Sequence, residues 1–269
     1  MTEITLYQVD AFTDRPFGGN PAAVCPLEAW LPDATLQAIA AENNLSETAY
    51  FVKQGAQADG DYHLRWFTPT IEVPLCGHAT LASAYVIARH VEPGTEKIAF
   101  HSASGPLTVT RSGEVFTLDF PSAPPAPFDD GGAVAAALGI RPQEVLKENK
   151  GKGGKMLALL AGEAEVQRAA PNLEKVAALP SDGLIITARG DTVDFVSRYF
   201  APHAGIPEDP VTGSAHCVLT PFWAARLGKA RLTARQISAR GGDLTVEDKG
   251  ARVLISGTVA PYLEGRIRV

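Results

Sequence analysis

A chain of 269 residues is long enough for one large domain or two ordinary ones. Its composition, 45% hydrophobic and 20% charged, is that of a globular protein that can bury a core without staples. A net charge of -6 with no stripe of Lys or Arg argues against nucleic acid as a partner, and an odd count of 3 cysteines argues against a disulfide framework.

The first half reads mainly as strands. Ile4–Val9, Thr48–Val52, Tyr62–Trp66, Lys97–Phe100, Leu107–Arg111 and Phe116–Phe120 are short, rich in β-formers and bounded by turn residues. Between the first two, Asp33–Asn43 places Leu36, Ile39 and Ala40 at helical spacing, with Asp33 as a candidate cap. From Gly77-His78 a second helix runs through Ala79–Ala88, where nearly every residue is apolar or small. A helix without a polar face has to be enclosed, and short strands on both sides predict a curled sheet around it.

Four prolines between Pro121 and Pro127 exclude helix and central strand, and the domain boundary is placed there. Beyond it the predicted strands are Met156–Leu160, Gly183–Ala188, Val193–Phe200, Arg235–Ala239, Asp243–Val246 and Arg252–Ser256. The predicted helices are Gly132–Leu138, Pro142–Lys147 and Asn172–Leu179. Lys147–Lys155, the densest basic stretch, reads as a solvated loop. Another mostly apolar helix begins at Gly213-Ser214, contains Pro221 as an expected kink or break, and stops at Gly228. The ending, Pro261–Val269, has strand character and is expected to return to the first lobe.

The two halves repeat. Phe67-Thr68-Pro69, Pro74 and Gly77-His78-Ala79 correspond to Phe200-Ala201-Pro202, Pro207 and Gly213-Ser214-Ala215. Both prolines keep the same offset from the phenylalanine in the two copies, while the glycine comes three residues later in the second. The repeat predicts two related lobes, residues 1–120 with 259–269 and residues 121–258, with the active site in a cleft between them.

Chemistry can sit where the two enclosed helices begin. A helix N-terminus offers unpaired N–H groups and partial positive charge, a receptor for carboxylate, and Gly77 and Gly213 allow close backbone approach. His78 lies at the first start; Asp209, Thr212, Ser214 and His216 lie at the second. Each has an ordinary reading too: His78 as a helix cap, Asp209 as a surface turn before Pro210, His216 and Cys217 as packing groups. Glu47 reads either as an exposed loop residue or as a carboxyl drawn toward an apolar cleft, where it could serve as general base and general acid. No G-x-G-x-x-G, H-E-x-x-H, G-x-S-x-G or close cysteine pair is present. The stretch Lys150–Met156 fails as a P-loop, because Asn149 takes its first glycine position and Met156 its Ser/Thr position.

Six blocks together resemble the PhzF-like phenazine-biosynthesis family: Asp10–Thr13, Phe17–Val24, Asn44–Ala49, Arg65–Pro69, Cys76–Thr80 and Asp209–His216. The resemblance implies an α+β, diaminopimelate-epimerase-like fold of two pseudo-symmetric lobes, each a curled, mostly antiparallel sheet around a central helix. It implies a cofactor-independent isomerase, usually a homodimer, acting on a small carboxylated metabolite. Glu47 would move a proton between carbons. His78, Asp209 and Ser214 would orient substrate and Glu47, and Asn20, Gly77, Thr212 and Gly213 would lie near the substrate's polar groups. Cys76 stands where related racemases and epimerases carry their first catalytic cysteine, but the second position is Pro210. That departure favours Glu47 chemistry over a two-thiol mechanism. The rival expectations are a Cys76-dependent racemase or epimerase and a metabolite-binding protein of the same fold. No metal, cofactor, nucleic acid or membrane is expected. Met1–Thr5 lacks a basic stretch followed by an apolar one, so the expected address is the cytoplasm.

Overall fold

A computed structural model describes residues 2–55, 61–150 and 153–269. Its elements are β1 (Glu3–Ala11), β2 (Asn20–Leu27), α1 (Asp33–Asn43), β3 (Glu47–Lys53), β4 (Tyr62–Phe67), β5 (Glu72–Val73), α2 (Gly77–Val86), β6 (Lys97–Ser102), β7 (Gly105–Ser112) and β8 (Val115–Pro121). They continue with β9 (Pro125–Pro127), α3 (Gly131–Leu138), β10 (Glu144–Glu148), β11 (Met156–Leu159), α4 (Glu163–Arg168), α5 (Leu173–Ala177), β12 (Leu184–Arg189) and β13 (Phe195–Ala201). The last are β14 (Ile206–Asp209), α6 (Gly213–Leu227), β15 (Arg231–Gln236), β16 (Gly242–Asp248), β17 (Arg252–Gly257) and β18 (Val259–Arg268). Contacts divide the chain into Met1–Asp119 with Ser256–Val269, and Phe120–Ile255.

In the first unit β18 pairs with β1 from Glu3↔Arg268 to Ala11↔Val259. β1 pairs with β2, β2 runs parallel to β3, and β3 pairs with β4. β4 carries the short β5 and runs parallel to β6, which leads through β7 to β8. Each parallel step needs a crossover, supplied by α1 and α2 respectively. Every residue of α2 is buried, and the helix touches β18, β1, β2, β3 and β7, so the sheet curls around it. Its hydroxyls are satisfied within the helix: Thr80 Oγ1 donates to the Cys76 carbonyl at 2.5 Å and Ser83 Oγ to that of Ala79 at 2.7 Å. α1 covers the other face, where Leu36, Ile39 and Ala40 join Ile4, Leu6, Ala23, Cys25, Tyr50 and Phe67 in one cluster.

The second unit repeats these pairings in the same chain order. β10 and β11 are antiparallel, β11 and β12 parallel, β12 and β13 antiparallel, β13 and β15 parallel, and β15 and β16 antiparallel. α6 fills the place of α2, and β14 pairs with β13 as β5 does with β4. Along β12, Leu184, Ile186 and Ala188 pack under α3, α4 and α5, while Thr187 faces the other way and its Oγ1 accepts from Trp223 Nε1 of α6 at 3.0 Å.

Several expectations are corrected. Pro142–Lys147 is not a helix: Glu144–Glu148 is strand β10, because six residues nucleate a helix poorly while β9 and β11 offer backbone partners on both sides. Lys147 is therefore buried, its Nζ donating to the Pro180 carbonyl, rather than solvated; Gly151 and Lys152 of that stretch lie outside the described residues. The strand expected at Arg235–Ala239 starts earlier, at Arg231, where Leu232, Ala234 and Gln236 alternate inward. Asp33 does not cap α1; it is the first helical residue and its carboxylate meets Arg65 at 2.9 Å. Pro221 neither breaks nor ends α6, which runs from Gly213 to Leu227. Proline leaves the carbonyl four residues back without its helical donor; here that is Cys217, and Ala123 N–H donates to it at 3.0 Å.

Candidate active site

Asn20 opens β2 after a loop with tight backbone demands. Phe17 has φ 71° and its N–H donates to buried Asp10 Oδ2 at 2.9 Å. Gly19 has φ 58°, and a Cβ there would sit 2.1 Å from the Ala11 carbonyl oxygen, so only glycine fits. Glu47 is delivered differently. α1 ends on Asn44 in the left-handed conformation, φ 50°, and the chain turns directly into β3, whose first residue pairs with Ala22. His78 and Cys76 come from the start of α2.

These residues converge. Asn20, Glu47, Cys76 and His78 are all buried, with Glu47 at 8% exposure, which rules out the exposed-loop reading. Ser46 Oγ donates to Asn20 Oδ1 at 3.4 Å, which turns Asn20 Nδ2 toward His78 Nδ1 at 3.1 Å. The tautomer sets the roles: where Asn20 Nδ2 donates to Nδ1, the ring proton sits on Nε2. Nε2 lies 3.3 Å from Glu47 Oε2, close but off the hydrogen-bond line. Burial pushes the His78 pKa down to about 3, with the Pro21 carbonyl opposing, so the ring is neutral at pH 7. Cys76 Sγ lies 3.5 Å from Nδ1. His78 does not cap α2: Cys76 is the N-cap, and its side chain makes no capping hydrogen bond.

The second unit builds its own polar cluster. Asp209 ends β14 at 7% exposure, so it is no surface turn. Its Oδ2 accepts from Thr212 Oγ1 at 2.5 Å. Gln236, fully buried, ties the turn together: its Oε1 accepts from Thr212 N at 2.9 Å, and its Nε2 donates to the Asp209 carbonyl at 2.7 Å. α6 then begins at Gly213 with no side-chain cap, and Ser214 is half-buried at its second position. His216 is wholly buried, with Nδ1 2.8 Å from the Thr212 carbonyl and a pKa lowered by burial to about 4. It and Cys217 pack, as expected. Gln236 and Ser46 were missed by sequence reasoning. The inward alternation of Leu232, Ala234 and Gln236 is the signal that could have exposed the first.

Residues 9–265 match the family model described as phenazine biosynthesis-like protein, PhzC-PhzF. The chain belongs to the PhzC-PhzF family. It is 49% identical over 267 residues to a Pseudomonas aeruginosa protein named an uncharacterized isomerase, covering 99% of this chain and 100% of that one. The crystal structure of a PhzF-family protein from Enterococcus faecalis superposes with a TM-score of 0.93 at 45% identity, each chain wholly covered. A hydroxyproline epimerase from Agrobacterium vitis shares the fold, with a TM-score of 0.60 at 11% identity over 98% of this chain and 92% of that one. The chain is thus an isomerase with an epimerase-like fold, as the six sequence blocks implied.

Proposed function

We propose that this isomerase moves a proton between carbons of a small carboxylated metabolite, with Glu47 as general acid and base and no cofactor. The observation that carries the proposal is the placing of buried Glu47 Oε2 3.3 Å from the neutral imidazole of His78. A neutral ring gives the carboxylate a hydrogen-bond donor without the full charge of an ion pair. The carboxyl can then take a proton from one carbon and return it to another within one cycle. The off-line contact is one that substrate can straighten, since such bonds often tighten only in the complex. His78, held by Asn20 and Ser46, orients Glu47.

The uncapped starts of α2 and α6 offer N–H groups suited to carboxylate, at Gly77 and at Gly213. In this proposal Asp209, Thr212, Gly213 and Ser214 serve the same substrate as Glu47. Asp209→Asn and His78→Ala then lose both binding and rate. The protein works in the cytoplasm as a homodimer. A metabolite screen by thermal shift finds the ligand, because a compound that binds only the native state raises Tm. Glu47→Gln keeps the Tm shift and loses turnover. A variant that loses the shift but turns over what it binds at the parental rate places Glu47 in binding only.

One observation favours a second reading. Cys76 Sγ beside His78 Nδ1 is a thiol next to an imidazole, a pairing that can activate sulfur. In that reading Cys76 is the base of a racemase or epimerase, and alkylation of Cys76 abolishes activity.

A further inference from the structure

Glu47, Cys76 and His78 come from two elements with no metal-ligand spacing in the sequence, yet one ligand atom from each lies within 4.8 Å of the other two. We propose that this trio is a binding site for a borderline divalent cation, Zn2+ in particular. The donor set selects the ion: thiolate, imidazole and one carboxylate suit zinc, whereas magnesium and calcium take oxygen ligands. Zinc–ligand bonds near 2.0–2.3 Å set tetrahedral ligand atoms about 3.3–3.8 Å apart. Glu47 Oε2 stands 3.3 Å from His78 Nε2 while Cys76 Sγ stands 3.5 Å from Nδ1, so Cys76 Sγ is the atom that must swing toward Nε2 for all three to share one ion.

Charge supports the assignment. One carboxylate and one thiolate balance a dication around a neutral ring, so the buried site carries no net charge. The outer shell is present too. A zinc-bound His donates its other ring N–H to an acceptor. With zinc on Nε2 the ring proton moves to Nδ1, where the Pro21 carbonyl can accept it and Asn20 can present Oδ1 once its amide turns end for end and Ser46 Oγ accepts from Nδ2 instead. Three protein ligands leave a fourth position open to water. Binding releases the Cys76 thiol proton to solvent and transfers no electrons. The ion is a regulator rather than a resident cofactor: bound zinc occupies the Glu47 oxygens and stops proton transfer. That consequence rests on the acid/base role proposed above; the binding itself does not.

The test therefore reads metal binding without turnover. The full chain is freed of metal, kept reduced and titrated with Co2+, a spectroscopic stand-in for zinc. Zn2+ affinity is then measured by competition with a chromophoric chelator. The expected result is a thiolate-to-cobalt charge-transfer band in the near ultraviolet that Zn2+ displaces. Cys76→Ala and Cys76→Ser both abolish the band, so the result does not hang on one variant's folding. Losing even an outer-shell partner costs about 10- to 100-fold in affinity, so each variant weakens Zn2+ by at least about 100-fold. Glu47→Gln keeps the band and binds Zn2+ more weakly. Absence of the band in the parent overturns the proposal, as does equal Zn2+ affinity in the parent and both Cys76 variants.

Discussion

His78 and His216 are buried neutral rings, and their lowered pKa values have a consequence for stability. In the unfolded chain a His takes up its proton near pH 6.5. The folded rings resist protonation until about pH 3 and about pH 4. Between those limits the unfolded state binds more protons, so stability is whole above about pH 6.5 and falls as pH drops toward 4. Thermal unfolding across that window is expected to show Tm falling with acid, and His216→Gln to flatten part of the slope. A Tm constant from pH 7 to 4.5 would contradict the burial argument. At this scale the sequence was only half legible. Glu47 had two open readings because its burial depends on a parallel pairing with Ala22 that no local pattern encodes. Gln236 was invisible because its role is a set of hydrogen bonds to a turn distant in sequence.

Helices and strands were more legible where periodicity was long. The all-buried helix α2 and the Gly228 stop of α6, φ 65°, follow from composition and chirality alone. Strand β10 did not, because its pairing with β9 and β11 overrides a short local preference. Pro221 likewise needed the Ala123 N–H to be understood. The loop before β2 makes a sharp prediction. Gly19→Ala combines a left-handed φ with a 2.1 Å approach to the Ala11 carbonyl. It should cost about 2 kcal/mol or more and shift Asn20 away from His78. Chemical denaturation checks the first part; a variant as stable as the parent would show that the loop relaxes freely.

For the whole molecule, the repeat of Phe, two prolines and glycine was the most informative sequence signal. Its structural counterpart is the shared pairing order of β1–β7 and β10–β16. Strand β18 closes the first unit on β1, so deleting residues 259–269 should leave β1 with an open edge and an insoluble chain. A soluble, folded truncation would count against that role. The proposed homodimer predicts sedimentation at twice the 28.4 kDa chain mass, and a single 28.4 kDa species at micromolar concentration would remove it. Removing metal with a chelator should leave turnover undiminished; a loss restored by a divalent ion would refute cofactor independence. The central claim is proton transfer through Glu47, and solvent-deuterium incorporation into substrate carbon tests it most directly. Glu47→Gln keeps the shape of the side chain but cannot take the proton. General acid/base catalysis contributes about 100- to 10,000-fold, so the variant is expected to fold, bind and exchange at least about 100-fold more slowly. Exchange within a few-fold of the parent in Glu47→Gln, with none in Cys76→Ser, would assign the chemistry to the thiol instead.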